Sequence, residues 1–395
     1  MSIAVEERPH HIPAFLTMGF RPFFLAAGAW SVVALLVWIV MLTTGGSLPS
    51  RLDPLAWHVH EMLFGFVMAA VTGFLLTAVP NWTGRAPVSG LPLASLAGLW
   101  LLGRIACLVS ALIPAWLSIA ADLAFPAVLA ALIAHEIVAA RNWRNLPMVA
   151  PVTVLGLADL LMLLEADGAS VPTGIGWRLG LVAVVVLISV VAGRIVPSFT
   201  RNWLVRRNVA HLPAAHGRVD QAALGMLHVG LLGWAVFPTV PAFGLVLVLG
   251  AALNLWRWLR WRGIATMAEP LLLILHVGYG WLILGAALLG LAAWGAPVPQ
   301  SAAIHALTAG AFGTMILAVM TRATRGHTGR ALAADGATSA IYALVILAAA
   351  ARVAAVFAAG WELPLLVAAA CLWIAAFGLF VMVYGPMLIA PRRGG

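Results

Sequence analysis

Apolar residues run along this chain in long blocks, with only brief polar interruptions between them. Blocks of spanning length fall at 20–43, 55–79, 91–113, 115–138, 148–166, 175–199, 221–238, 240–261, 268–293, 302–321, 337–359 and 363–388. A helix rises about 1.5 Å per residue, so roughly 20 apolar residues cross a bilayer core. The pattern therefore predicts an all-α membrane protein of about twelve transmembrane helices. The blocks fill 1–395 as one polytopic domain, with a polar N-terminal tail at 1–18 and an arginine-rich connection at 200–220. No segment is left for a soluble catalytic domain.

Composition sharpens this picture. The chain is 63% hydrophobic and only 9% charged, with a mean hydropathy of +1.05, which excludes a soluble fold. Every basic residue is arginine, and the net charge is +9. That excess reads as a topology signal rather than as a nucleic-acid surface. Twelve spans put both termini on one side. Nearly all loop arginines fall on that side, Arg51 and Arg178 on the other, and Arg104 and Arg352 inside spans. Both termini are thus expected in the cytoplasm. The first apolar run follows a polar start and reads as a span, not as a cleaved leader. Cys107 and Cys371 sit in apolar runs without a CxxC or CxxCH pattern, which argues against covalent haem attachment and cysteine zinc sites. The ends of the second, sixth and tenth spans, "GFLLTAVPNWTGR", "AGRIVPSFTRNW" and "GTMILAVMTRATRG", echo one another at a spacing of four helices, a hint of three four-helix units.

Charged and titratable groups are costly inside a bilayer, so those present ask for a reason. The second span opens with "WHVHEMLFGF" after Asp53-Pro54, an N-cap followed by proline in the first turn. His58 and His60 then lie in its outer part, and His305 of the tenth span sits at a similar depth. His276 lies near the middle of the ninth span, His228 in the inner half of the seventh and His327 in the segment "TRATRGHTGR". Histidines converging between helices suit haem iron or copper, and imidazole also relays protons. At about 100° per residue, His58 and His60 point to opposite faces and serve two sites better than one chelate. The same spacing predicts that Glu61 shares a face with His58, and Phe64 with His60. Arg104 and Arg352 each need an anion: a carboxylate such as Asp122 or Asp159, or a haem propionate.

The stretches "GFRPFF", "WHVHEMLFGF", "GFLLTAVPNWTGR", "RNWRNLP", "FTRNWL", "LHVGYGWLILG" and "HALTAGAFGTMILAVMTRATRGHTGR" resemble, in order, the NnrS family. The resemblance covers most of the chain and is weakest in helices 4–5 and 11–12. It implies a bacterial inner-membrane protein that contains haem and copper and takes part in the response to nitric oxide and protection from nitrosative stress. The histidines that match its segments are His58, His60, His276, His305 and His327. The expected roles are haem between helices 2 and 10 on His60 and His305, with Arg104 beside a cofactor. His58 and His276 are expected at a second haem or at copper, with His228 and His327 as further metal candidates and Glu61 as a proton-handling catalytic group. Nitric oxide would be ligand or substrate, and electrons for turnover would come from a quinol or a partner protein. The plan is also similar to the large subunit of haem-copper oxidases, where an HxH serves two haems; the adjacent histidine pair which that family uses for copper is missing from the spans here. A transporter of metal, haem or a small substrate, and a non-catalytic haem sensor, are the alternatives.

Overall fold

The structure is a computed structural model that describes residues 12–392. Most of the tail expected at 1–18, together with Arg8 and Arg393, lies outside the described residues. Among the described residues there is no strand. Twelve helices are long and apolar enough to cross a membrane. They are α1 (Phe20–Thr44), α2 (Pro54–Thr83), α3 (Gly90–Leu108), α4 (Ala115–Ala139), α5 (Trp143–Ala166), α6 (Ile175–Val205), α7 (Arg218–Val236), α8 (Pro241–Leu259), α9 (Pro270–Trp294), α10 (Gln300–His327), α11 (Gly336–Ala354) and α12 (Glu362–Ile389).

Each apolar block became one helix, and the differences lie at the ends. Asp53 caps α2 by accepting from the amides of Leu55 and Ala56, both at 2.9 Å. Glu269 caps α9 through the amide of Leu271 at 3.2 Å. The expected loop at 200–220 begins later, because α6 continues to Val205. Thr200 stays inside the helix by turning its hydroxyl back to the Val196 carbonyl at 2.9 Å, so a polar residue need not end the span. α2 runs on to Thr83 and stops at Gly84, whose φ of +70° closes the last turn. α3 and α11 end earlier than their apolar runs, at Leu108 and Ala354.

Two helices are irregular at the same relative place. α2 is π-helical over Glu61–Val67, and α10 over Ala306–Phe312. Each wide turn starts directly after a histidine, and each contains a glycine that lets a tryptophan come close. A Cβ on Gly65 would lie 2.5 Å from Trp30 Nε1 of α1, and one on Gly310 would lie 2.6 Å from the Trp281 ring of α9. Single π turns inside helices occur often at functional sites.

The helices sort into an inner and an outer set. The spanning windows of α2, α6, α9 and α10 are 83%, 61%, 61% and 72% buried, against 28–39% for the other eight. α1 packs against α12, so the first and last of the twelve helices meet. Apolar burial does not drive helix association in lipid; close packing through small residues does. Gly244 of α8 shows this, since a Cβ there would stand 2.4 Å from the Trp294 amide of α9. The inner helices carry His58, His60, His276, His305 and His327.

Candidate functional site

A chamber of about 950 Å³ opens between the starts of α2, α6 and α10 and the adjoining parts of α1, α11 and α12. Its walls are mainly apolar and aromatic, with Trp38, Phe66, Phe312 and Trp373 among them. Arg51, Leu52 and Thr173, from the loops at that end, also line it, so the chamber reaches the edge of the helical body. Four titratable side chains line it from the spans: His58, Glu165, whose carboxylate accepts from the Gly174 amide at 2.9 Å, His305 and Arg352.

The two histidines and Arg352 are prepared differently. His305 Nδ1 donates to the Ser301 carbonyl one turn back, at 2.7 Å. That bond fixes the tautomer and leaves Nε2 with a free lone pair, the usual second-sphere arrangement of a metal-binding imidazole. His58 is held by stacking on Trp38, with centroids 4.7 Å apart and planes at 21°. Its Nδ1 is buried without a hydrogen-bond partner. Arg352 has no carboxylate partner among the described residues, and on the same wall the indole N–H of Trp373 is buried without an acceptor. A lone guanidinium and an unsatisfied donor in a bilayer-depth chamber call for an anion.

His60 faces the other way, into a dry cluster between α2, α3, α4 and α5. It is fully buried, as are Glu61, Arg104, Cys107, Asp122 and Asp159, each at 3% exposure or less. His60 Nε2 donates to Asp159 Oδ1 at 2.8 Å, and Nδ1 lies 3.2 Å from Glu61 Oε1 and 3.5 Å from Cys107 Sγ. Arg104 gives one amino group to both Glu61 oxygens at 2.9 Å. It gives the other to Asp122 Oδ1. Trp30 Nε1 adds a bond to Glu61 Oε2 at 2.7 Å. The close approach of α3 and α4 is permitted by Gly103, where a Cβ would stand 2.6 Å from Asp122 Oδ1.

The two imidazoles of the HxH motif therefore do point apart, but the pairing differs from expectation. His58, not His60, shares the chamber with His305. His60 touches Phe64, with ring centroids at 5.2 Å, yet its nitrogens are taken up by carboxylates. Glu61 sits with His60 and Arg104 rather than with His58, because Arg104 and Trp30 bond its carboxylate on that side. Neither Glu61 nor Arg104 lines the chamber, so Arg104 is placed to meet carboxylates and not a cofactor there.

The remaining histidines stand alone. His276 accepts or donates through Nε2 to the Thr200 hydroxyl at 2.9 Å, and its Nδ1 is buried without a partner. His228 Nε2 meets the Ser189 hydroxyl at 2.8 Å. His327 lies against Phe20, with centroids at 5.4 Å. Among the described residues, the groups with metal-ligand spacing are His60 with Glu61 and Cys107, and His60 with Asp122 and Asp159. His276, His228 and His327 belong to neither, and His58 and His276 do not converge. The carboxylates of α4 and α5 had one sequence signal: acids inside apolar spans near an intramembrane arginine. Which acids meet it is a matter of helix packing.

Twelve spans with a largely apolar chamber among them define a polytopic helical membrane protein. The NnrS protein family model matches residues 14–392, nearly the whole chain, and the protein belongs to that family. No curated protein matches the chain. Membership in the family points to a membrane protein of the nitric oxide response.

Proposed function

We propose that the chain holds a haem in the chamber, on His58 and His305, and that it binds or consumes nitric oxide to protect a bacterial cell from nitrosative stress. The observation that carries this reading is one wall set: an imidazole with its Nδ1–H already given away, a second imidazole with an orphaned nitrogen, and an arginine in no ion pair among the described residues. Mainly apolar walls suit the macrocycle, and Arg352 with the Trp373 N–H suits propionates. When bound, the haem supplies an iron that takes nitric oxide. The protein's own part is distinct. Ser301 fixes His305, so that side of the site is rigid. His58 is held only by stacking and has no hydrogen bond to lose when its ring moves. The mainly apolar lining suits a small uncharged gas.

Copper, the other metal expected for the family, is not placed on His58, His276, His228 or His327, which share no site. The arginine asymmetry of the loops supports an inner-membrane protein with both termini in the cytoplasm. Turnover would draw electrons from a quinol or a protein donor. The test is the optical spectrum of the purified full chain, with and without nitric oxide. A Soret band in the wild type that is lost in His305→Ala and weakened or shifted in His58→Ala supports the assignment. Folded, colourless wild type from haem-replete cells refutes it. Amperometric loss of nitric oxide in the presence of a reductant separates an enzyme from a sensor, and substrate uptake by colourless protein favours a transporter.

A further inference from the structure

We propose that the buried cluster on the far face of α2 is a second, separate binding site, for one divalent metal ion held by His60 Nε2, Asp122 Oδ2 and Asp159 Oδ1. The site stands on geometry apart from the chamber and does not depend on the haem reading.

Three observations support it. The first is an unsatisfied acceptor. Asp122 is 2% exposed, and its Oδ2 is buried without a hydrogen-bond partner although it stands 3.2 Å from His60 Nε2. A ring nitrogen carries a single hydrogen, and Asp159 at 2.8 Å receives it. Two carboxylates thus converge on one nitrogen that can satisfy only one of them. The second is spacing. Metal–ligand bonds of about 2.1 Å place neighbouring N and O donors roughly 3 Å apart. The separations of 2.8 and 3.2 Å lie on either side of that length, and one donor atom from each of the three residues lies within 4.8 Å of the others. The third is charge. Glu61, Asp122 and Asp159 in their ionised forms face Arg104, and once an ion takes Nε2 in place of its proton, His60 is neutral and the ligand set is two charges short of neutrality. A divalent cation closes that gap, where an uncompensated buried charge is very costly.

The surroundings are those of a ligand set. Glu61 accepts from His60 Nδ1 on the side away from the proposed ion, an arrangement that orients metal-bound imidazoles. Glu61 is itself fixed by Arg104 and Trp30, so it is a positioning residue and not a ligand. Cys107 also lies on the Nδ1 side, outside the proposed set. One imidazole and two carboxylates favour ions such as Zn²⁺, Mn²⁺ or Fe²⁺ over Cu⁺, which prefers sulfur donors.

The experiment uses the full chain, purified in detergent from cells grown with added Zn²⁺ and Mn²⁺ and washed with chelator, with metals measured by plasma mass spectrometry beside the haem spectrum. The expected result is about one non-haem divalent ion per chain. It should fall at least ~10-fold in Asp122→Asn and in Asp159→Asn, with the Soret band retained, and persist in His305→Ala. Metal-free wild type, or metal undiminished in both asparagine variants, overturns the proposal. If neither variant folds, X-ray absorption of the wild type decides: an N/O shell with an imidazole supports the site, and sulfur in the shell or no metal overturns it. A missing Soret band with the ion still bound sinks the haem reading alone.

Discussion

Arg104→Met is the perturbation that most directly tests how the inner core is held together. Arg104 touches both Glu61 oxygens at 2.9 Å and also Asp122, in a cluster where none of the three is more than 3% exposed. Methionine fills a similar volume but leaves two carboxylates without their cation. Removing one partner of a buried ion pair costs about 3–5 kcal/mol, mostly from the charge left behind. Whole domains are stable by only ~5–15 kcal/mol, so about a fifth of the stability or more is at stake. The assay is thermal unfolding in detergent, followed by intrinsic tryptophan fluorescence, with yield of monodisperse protein as a second readout. Arg104→Lys should be intermediate, because one ammonium cannot reproduce a guanidinium that spans two acids. Arg104→Met combined with Glu61→Gln should recover part of the loss, since one orphaned charge is then gone while the acceptor for Trp30 remains. An Arg104→Met chain that melts within about 1 °C of wild type would refute the reasoning, because a loss of this size shifts Tm by several degrees.

Other outcomes follow from single contacts. In Gly193→Ala, the new Cβ would lie 1.9 Å from Arg257 Nη2 and push the guanidinium off Asp220 and Tyr279, which it meets at 2.9 and 2.8 Å. A loss of about 1–3 kcal/mol is expected, read as a lower Tm; an unchanged melt would show that the arginine moves aside freely. Arg352→Leu should keep the Soret band but speed haem loss to apomyoglobin by roughly 10–100-fold, the scale of a lost charged hydrogen bond; unchanged transfer would remove Arg352 from the propionates. Asp335 caps α11 through the Thr338 amide at 2.8 Å, and Asp335→Ala should cost about 1 kcal/mol. The hydroxyl and amide of Thr338, with Arg325, hold the Asp335 carboxyl below the usual carboxylate range. Its stabilising effect is therefore complete above the unfolded value of about 4 and fades as pH falls through the lower folded value. The melting difference between wild type and Asp335→Ala should shrink at acid pH, and one that is constant with pH would contradict the capping role.

The helix count, the class of protein and the caps at Asp53 and Glu269 were legible in the sequence, because each rests on local rules: apolar length against bilayer thickness, and a side chain bonding the next few amides. The family was legible too, from ordered motifs, and the family match over residues 14–392 agrees. The opposed directions of His58 and His60 also follow from helical rotation alone. Their company does not. Regular spacing puts Glu61 on the side of His58, but bonds from Arg104 and Trp30 hold its carboxylate beside His60. Arg104 was recognisable as a residue needing an anion, but only packing of α2 to α5 selects Glu61 and Asp122 as its partners. Arg352 raised the same question in the sequence and received the opposite answer: no ion pair among the described residues, and a place on the chamber wall with His305. Spacing along a chain fixes which way a side chain leaves its helix. What it meets depends on neighbours tens or hundreds of residues away, and in lipid those are chosen by close fits such as Gly65 on Trp30 and Gly103 on Asp122, which periodicity does not encode.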